Sequence, residues 1–109
     1  MRSLAALMAG ALLLCSAPAP AHASSHALLV LNRGERPIFT LVIGHHENNA
    51  WSADVLGFNE VVDVGEGRTV NVNLTGACLN DVRATYPDGS VQDRDGVDLC
   101  TTDSLSFDR

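Results

Sequence analysis

Two cysteines, Cys78 and Cys100, stand 22 residues apart in the chain, with Tyr86-Pro87-Asp88-Gly89 between them. That tetrapeptide favours a type I turn with glycine in the left-handed position, which gives a three-residue hairpin loop. An odd loop places residue 98 opposite residue 78, so both cysteines project from one face of the hairpin. They would then be diagonal neighbours about 7 Å apart at Cα, slightly long for a disulfide. A bulge at Gly96 is therefore expected to bring them together. The same parity puts Val82, Ala84 and Tyr86 on the face of Cys78, and that face is read as core.

Oxidation of the pair depends on the compartment. Residues 1–23 follow the order of a secretory signal: Arg2, an apolar run from Leu4 to Leu14, then a Pro/Ala stretch ending in Ala21-His22-Ala23. The run is too short to span a bilayer, which takes about 20 apolar residues. One arginine before it favours the general secretory route over the twin-arginine route. Leu14 stands where a lipoprotein signal needs a small residue, so Cys15 is expected to leave with the signal. The reading is a periplasmic or secreted domain, residues 24–109, with no transmembrane segment. In an oxidising compartment the two remaining cysteines pair. For a 22-residue separation the chain-entropy model gives about 3 kcal/mol, a large share for a domain near the lower size limit.

All thirteen acidic residues lie beyond residue 23, against six arginines and no lysine there, which makes the mature net charge −7. Phosphate backbones and anionic lipid surfaces require clustered Lys and Arg, so nucleic acid is excluded as a partner. Acidity also keeps a small exported domain soluble, and a monomer is expected.

Short apolar runs alternate with Gly, Pro, Asn and Asp clusters about every 10 residues, the pattern of a sandwich or barrel. An all-β, small antiparallel β-sandwich of six or seven strands follows. Ala27 to Leu31 is continuously apolar, as in a strand buried on both faces. Pro37 to Gly44 places Phe39, Leu41 and Ile43 on one face, and these two runs are expected to pair as a hairpin. His45 to Asp54 reads as the longest loop, with room for a short helical turn, and Glu60 to Val64 as a further strand. Arg68 to Leu74 alternates strictly, with Val70, Val72 and Leu74 inward and Asn71 and Asn73 outward. Ser104 to Phe107 closes the domain.

Several residues carry metal-ligand or recognition chemistry. Asp93, Asp95 and Asp98 surround Gly96 as in a calcium loop, but alignment on Gly96 leaves Val91 and Thr102 at the first and twelfth ligand positions. Solvated edge charges, with Arg83 paired across the hairpin, are the preferred reading. His45-His46-Glu47 supplies ligand types without a helical i, i+4 pair, although one histidine could join a distant carboxylate. A chain starting Ser24-Ser25-His26 would offer amine, amide and imidazole nitrogens to Cu²⁺ or Ni²⁺ in a square plane. Trp51 is either a core plug, favoured by the scarcity of aromatics, or an exposed recognition aromatic. No Gly-x-Ser-x-Gly stands anywhere and both mature cysteines are committed, so no enzyme and no cofactor are expected.

Val30-Leu31-Asn32, Trp51 with Asp54 and Leu56, Gly65, Cys78 with Asp81-Val82-Arg83, Asp88-Gly89 and Asp98-Leu99-Cys100 form an ordered set across nearly the whole mature domain. That set resembles a family of small secreted or periplasmic proteobacterial proteins of unknown function. The functional expectation is a non-enzymatic binding module for an unidentified protein or small ligand, with Trp51, His45 and His46 as contact residues. The alternative is a periplasmic metal-binding protein, using Ser24-Ser25-His26 for Cu²⁺ or Ni²⁺, or the Asp93 to Asp98 loop for Ca²⁺.

Overall fold

The computed structural model describes residues 24–74 and 76–109; the segment read as a signal, 1–23, lies outside them. Among the described residues there are seven strands: β1 Ser24–Asn32, β2 Thr40–His45, β3 Ala50–Trp51, β4 Gly67–Leu74, β5 Leu79–Thr85, β6 Val91–Asp98 and β7 Ser104–Phe107. They form a three-stranded sheet in the order β4-β1-β7 and a four-stranded sheet in the order β3-β2-β5-β6. Every pairing is antiparallel except β1 with β7. The all-β sandwich expected from turn spacing is the observed architecture. Among the described residues no helix is long and apolar enough to cross a membrane.

The core lies between the sheets. Leu28 and Val30 of β1, Val70 and Val72 of β4 and Phe107 of β7 meet Leu41 of β2, Val82 and Ala84 of β5, and Tyr86. Fully burying a side chain of this size contributes about 1.5–3 kcal/mol. The alternation read in β4 holds: Val70 and Val72 are buried, and Asn71 and Asn73 are exposed. β1, by contrast, is buried on one face only, since Leu29 is 36% exposed. A domain of two layers has no third layer to cover that outer face.

The expected hairpin of β1 with β2 does not form, and the two strands sit in different sheets. Asn32, 1% exposed, is the pin of the crossover. Its Nδ2 donates to the Arg36 and Val62 carbonyls at 2.7 and 2.9 Å, and its Oδ1 accepts from the Gly34 amide at 3.0 Å. These bonds satisfy backbone groups that a buried bend would otherwise leave unpaired. The chain then reaches Ile38, which forms a lone bridge with Val62, all that remains of the strand expected at Glu60 to Val64. Ile38 is buried in place of Phe39, which is 45% exposed. The bridge lies outside β2, so the strand's parity does not extend back to Phe39.

The last hairpin follows the arithmetic of its turn. Gly89 donates to the Tyr86 carbonyl and adopts φ 88°, and Thr85 pairs with Val91. The register slips between Asn80 and Val82, opposite Asp95 and Gly96, and Gly96 takes φ 63°. This is the expected bulge. Past it, Leu99 N–H donates to the Cys78 carbonyl, so a turn at Asp98 to Thr101 makes the last step. The Cys78 and Cys100 Cα atoms come to 5.3 Å and the disulfide closes.

Candidate functional site

Alternate residues of a strand share a face, and the face of the larger sheet turned away from the core carries Trp51, Asp81, Arg83, Asp93 and Asp95. Register aligns them in two rungs. Gly44 of β2 pairs with both Trp51 and Asp81, and Arg83 pairs with Asp93. A Cβ at Gly44 would overlap the Ala50 carbonyl, so glycine lets the short strand β3 approach.

Arg83 holds the centre of this face. Its Nε and Nη2 donate to the two Asp93 carboxylate oxygens at 2.8 and 3.0 Å, and its guanidinium carbon lies 4.5 Å from the Trp51 ring centroid. The Arg83 hydrogen bonds hold the Asp93 carboxyl below its ordinary range, and Asp93 raises Arg83. The Arg83–Asp93 pairing expected across the hairpin is therefore present. Trp51 is not the core plug: it is half-buried outside the core, and its indole N–H donates to Asn49 Oδ1 at 3.2 Å. Two residues after the left-handed Asn49, it belongs to an edge strand whose rung points outward.

The second rung centres on Asp81. His45 ends β2, and the 3₁₀ turn His46–Asn48 brings the His46 backbone N–H and ring back over β5. Asp81 Oδ2 accepts both, at 3.0 Å from the amide and 2.9 Å from Nδ1, and Asp81 Oδ1 accepts the amide of the bulged Gly96 at 2.9 Å. Asp95 Oδ1 lies 3.3 Å from the same Nδ1. The His46 and Gly96 amides lead in lowering the Asp81 carboxyl to about 2. The Asp81 hydrogen bond, followed by the Asp95 charge, raises the His46 imidazole. The three donor atoms of His46, Asp81 and Asp95 fall within 4.8 Å of one another, a set of the kind that can hold a metal ion.

The other candidates do not converge. His45 points away from His46 and lines a small cleft with Ile43, Asn73 and Asn80. Asp98 turns toward the disulfide, its Oδ1 accepting from the Cys100 amide at 3.0 Å. Asp93, Asp95 and Asp98 thus serve three different partners rather than one calcium loop. Ser24, Ser25 and His26 pair with Leu74, Asn73 and Val72, and His26 Nε2 lies 2.7 Å from the Thr102 carbonyl oxygen. A square-planar chelate would require this end of β1 to peel from the sheet.

Sequence reasoning missed Asp81, Phe39 and Phe58. Asp81 was legible as the next outward residue before Arg83, but its contact with His46 depends on a bulge and a turn far apart in the chain. Phe58 is 91% exposed and, with Phe39, lines a cleft of about 600 Å³. A second cleft of about 490 Å³ runs beside the outer edge of β4, lined by Ile43, Val55 and Val72 with Asn71, Asn73 and Asn80. No known family, curated protein or solved structure matches the chain, and nothing in them bears on the resemblance noted above.

Proposed function

We propose that this chain is an exported, non-enzymatic binding module whose contact surface is formed by Phe39, Trp51 and Phe58 and the connection after β2. One observation carries the reading. The chain has five aromatic residues, and only Tyr86 and Phe107 are buried in the core. Phe39 and Phe58 are exposed and Trp51 is held flat beneath Arg83. Aromatic and arginine side chains concentrate binding energy at protein interfaces, and recognition residues gather on loops held by a rigid scaffold. The acidic surface favours a partner of opposite charge.

The test is site-specific photocrosslinking in the periplasm from positions 51 and 58, with position 69 on the outer face of β4 as control. The expected result is one shared partner from 51 and 58, absent from 69 and lost when the other aromatic is replaced by alanine. The same products from all three positions would overturn the reading.

A further inference from the structure

Across β5 and β6 the rung Arg83–Asp93 joins opposite charges, the stabilising arrangement for side chains facing one another in a sheet. One step along, Asp81 stands opposite the bulged pair Asp95 and Gly96, and two carboxylates meet where a sheet disfavours like charge. Only His46, arriving from the turn after β2, comes between them. Hydrogen bonds to the His46 and Gly96 amides account for Asp81. They do not account for the Asp95 carboxylate, which among the described residues accepts no hydrogen bond and has the imidazole at 3.3 Å as its nearest cation, with the Arg83 charge farther off.

We propose that His46 Nδ1, Asp81 Oδ2 and Asp95 Oδ1 form a three-ligand site for a borderline divalent cation, Zn²⁺ foremost, with the fourth position open. Donor atoms around tetrahedral zinc stand about 3.4 Å apart for bonds of about 2.0–2.2 Å. The two edges at His46, 2.9 and 3.3 Å, are already near that value, and the Asp95 side chain, 58% exposed, is free to close the third. Gly96 N–H holds the far oxygen of Asp81 at 2.9 Å, the outer hydrogen bond that orients a ligating carboxylate. Imidazole with two carboxylates suits zinc and its neighbours, whereas calcium takes six or more oxygens. The site shares Asp95 with the calcium loop considered in the sequence but draws its other ligands from His46 and Asp81, and it does not rest on the aromatic contact surface.

The experiment is calorimetric titration of chelator-stripped protein with Zn²⁺ and with Ca²⁺ near neutral pH, with Co²⁺ absorption as the spectroscopic check for nitrogen ligation. The expected result is one saturable Zn²⁺ equivalent, no Ca²⁺ binding, and roughly tenfold or greater weakening in His46→Gln and in Asp95→Asn. Both replaced side chains are exposed, and circular dichroism of each variant is the check that it folds. Glu60→Gln, at the remote ion pair with Arg68, leaves the affinity unchanged. Absence of saturable Zn²⁺ binding, unaltered affinity in both variants, or loss only in His26→Gln would each overturn the proposal.

Discussion

At Asp81 one carboxylate accepts from the first amide after β2, the imidazole that follows it, and the amide freed by the bulge in β6. Its pKa and that of His46 then make stability depend on pH in opposite directions. The Asp81 carboxyl is lowered from 3.8 to about 2, so its contribution is complete above 3.8 and is lost as pH falls toward 2. His46 is raised above 6.5, so its contribution is complete below 6.5 and is lost as pH rises through the folded value. With chelator present, urea midpoints measured across pH should form a plateau between those two ordinary values and decline on both sides. His46→Gln should flatten the alkaline decline while leaving an acid one. An alkaline decline of unchanged size in that variant would assign it elsewhere.

The β5–β6 hairpin shows what an element can reveal before its surroundings are known. Turn length, strand parity and the need to join Cys78 to Cys100 are all local, and together they place the bulge at Gly96. Its φ of 63° costs an L side chain about 1–2 kcal/mol, and a Cβ there would meet nothing within 4 Å. Gly96→Ala should therefore lower unfolding free energy by about 1–2 kcal/mol through backbone conformation alone, read from urea denaturation with the disulfide intact. No change would mean that the bulge relaxes. The pairing of β1 was not legible in this way. Its neighbours lie at residues 67–74 and 104–107, and Asn32 directs the chain between sheets through the carbonyl of Val62, 30 residues away. His46 and Asp95 could each be recognised as ligand types from sequence, but their meeting requires the bulge, the β2–β5 register and the 3₁₀ turn together.

The whole molecule divides its apolar side chains by role. Phe107, 0% exposed on β7 beside β1 and 5.4 Å from the Arg94 guanidinium, fills the core at the closing strand, whereas Phe58, 91% exposed, follows Gly57 at φ 100° and precedes Asn59 at φ 61°. A positive-φ residue thus stands on either side of that exposed ring. Removing a buried phenylalanine costs about 3–5 kcal/mol, enough to unfold much of a domain whose total stability is about 5 kcal/mol. Removing an exposed one leaves stability within about 0.5 kcal/mol. Phe107→Ala should therefore abolish cooperative unfolding near room temperature, while Phe58→Ala should match the parent chain in urea midpoint and lose only its crosslinked partner. A loss of more than about 1 kcal/mol in Phe58→Ala, beyond what an exposed side chain contributes, would instead make the ring a structural part of the loop. The contact surface would then contract to Trp51 and Phe39.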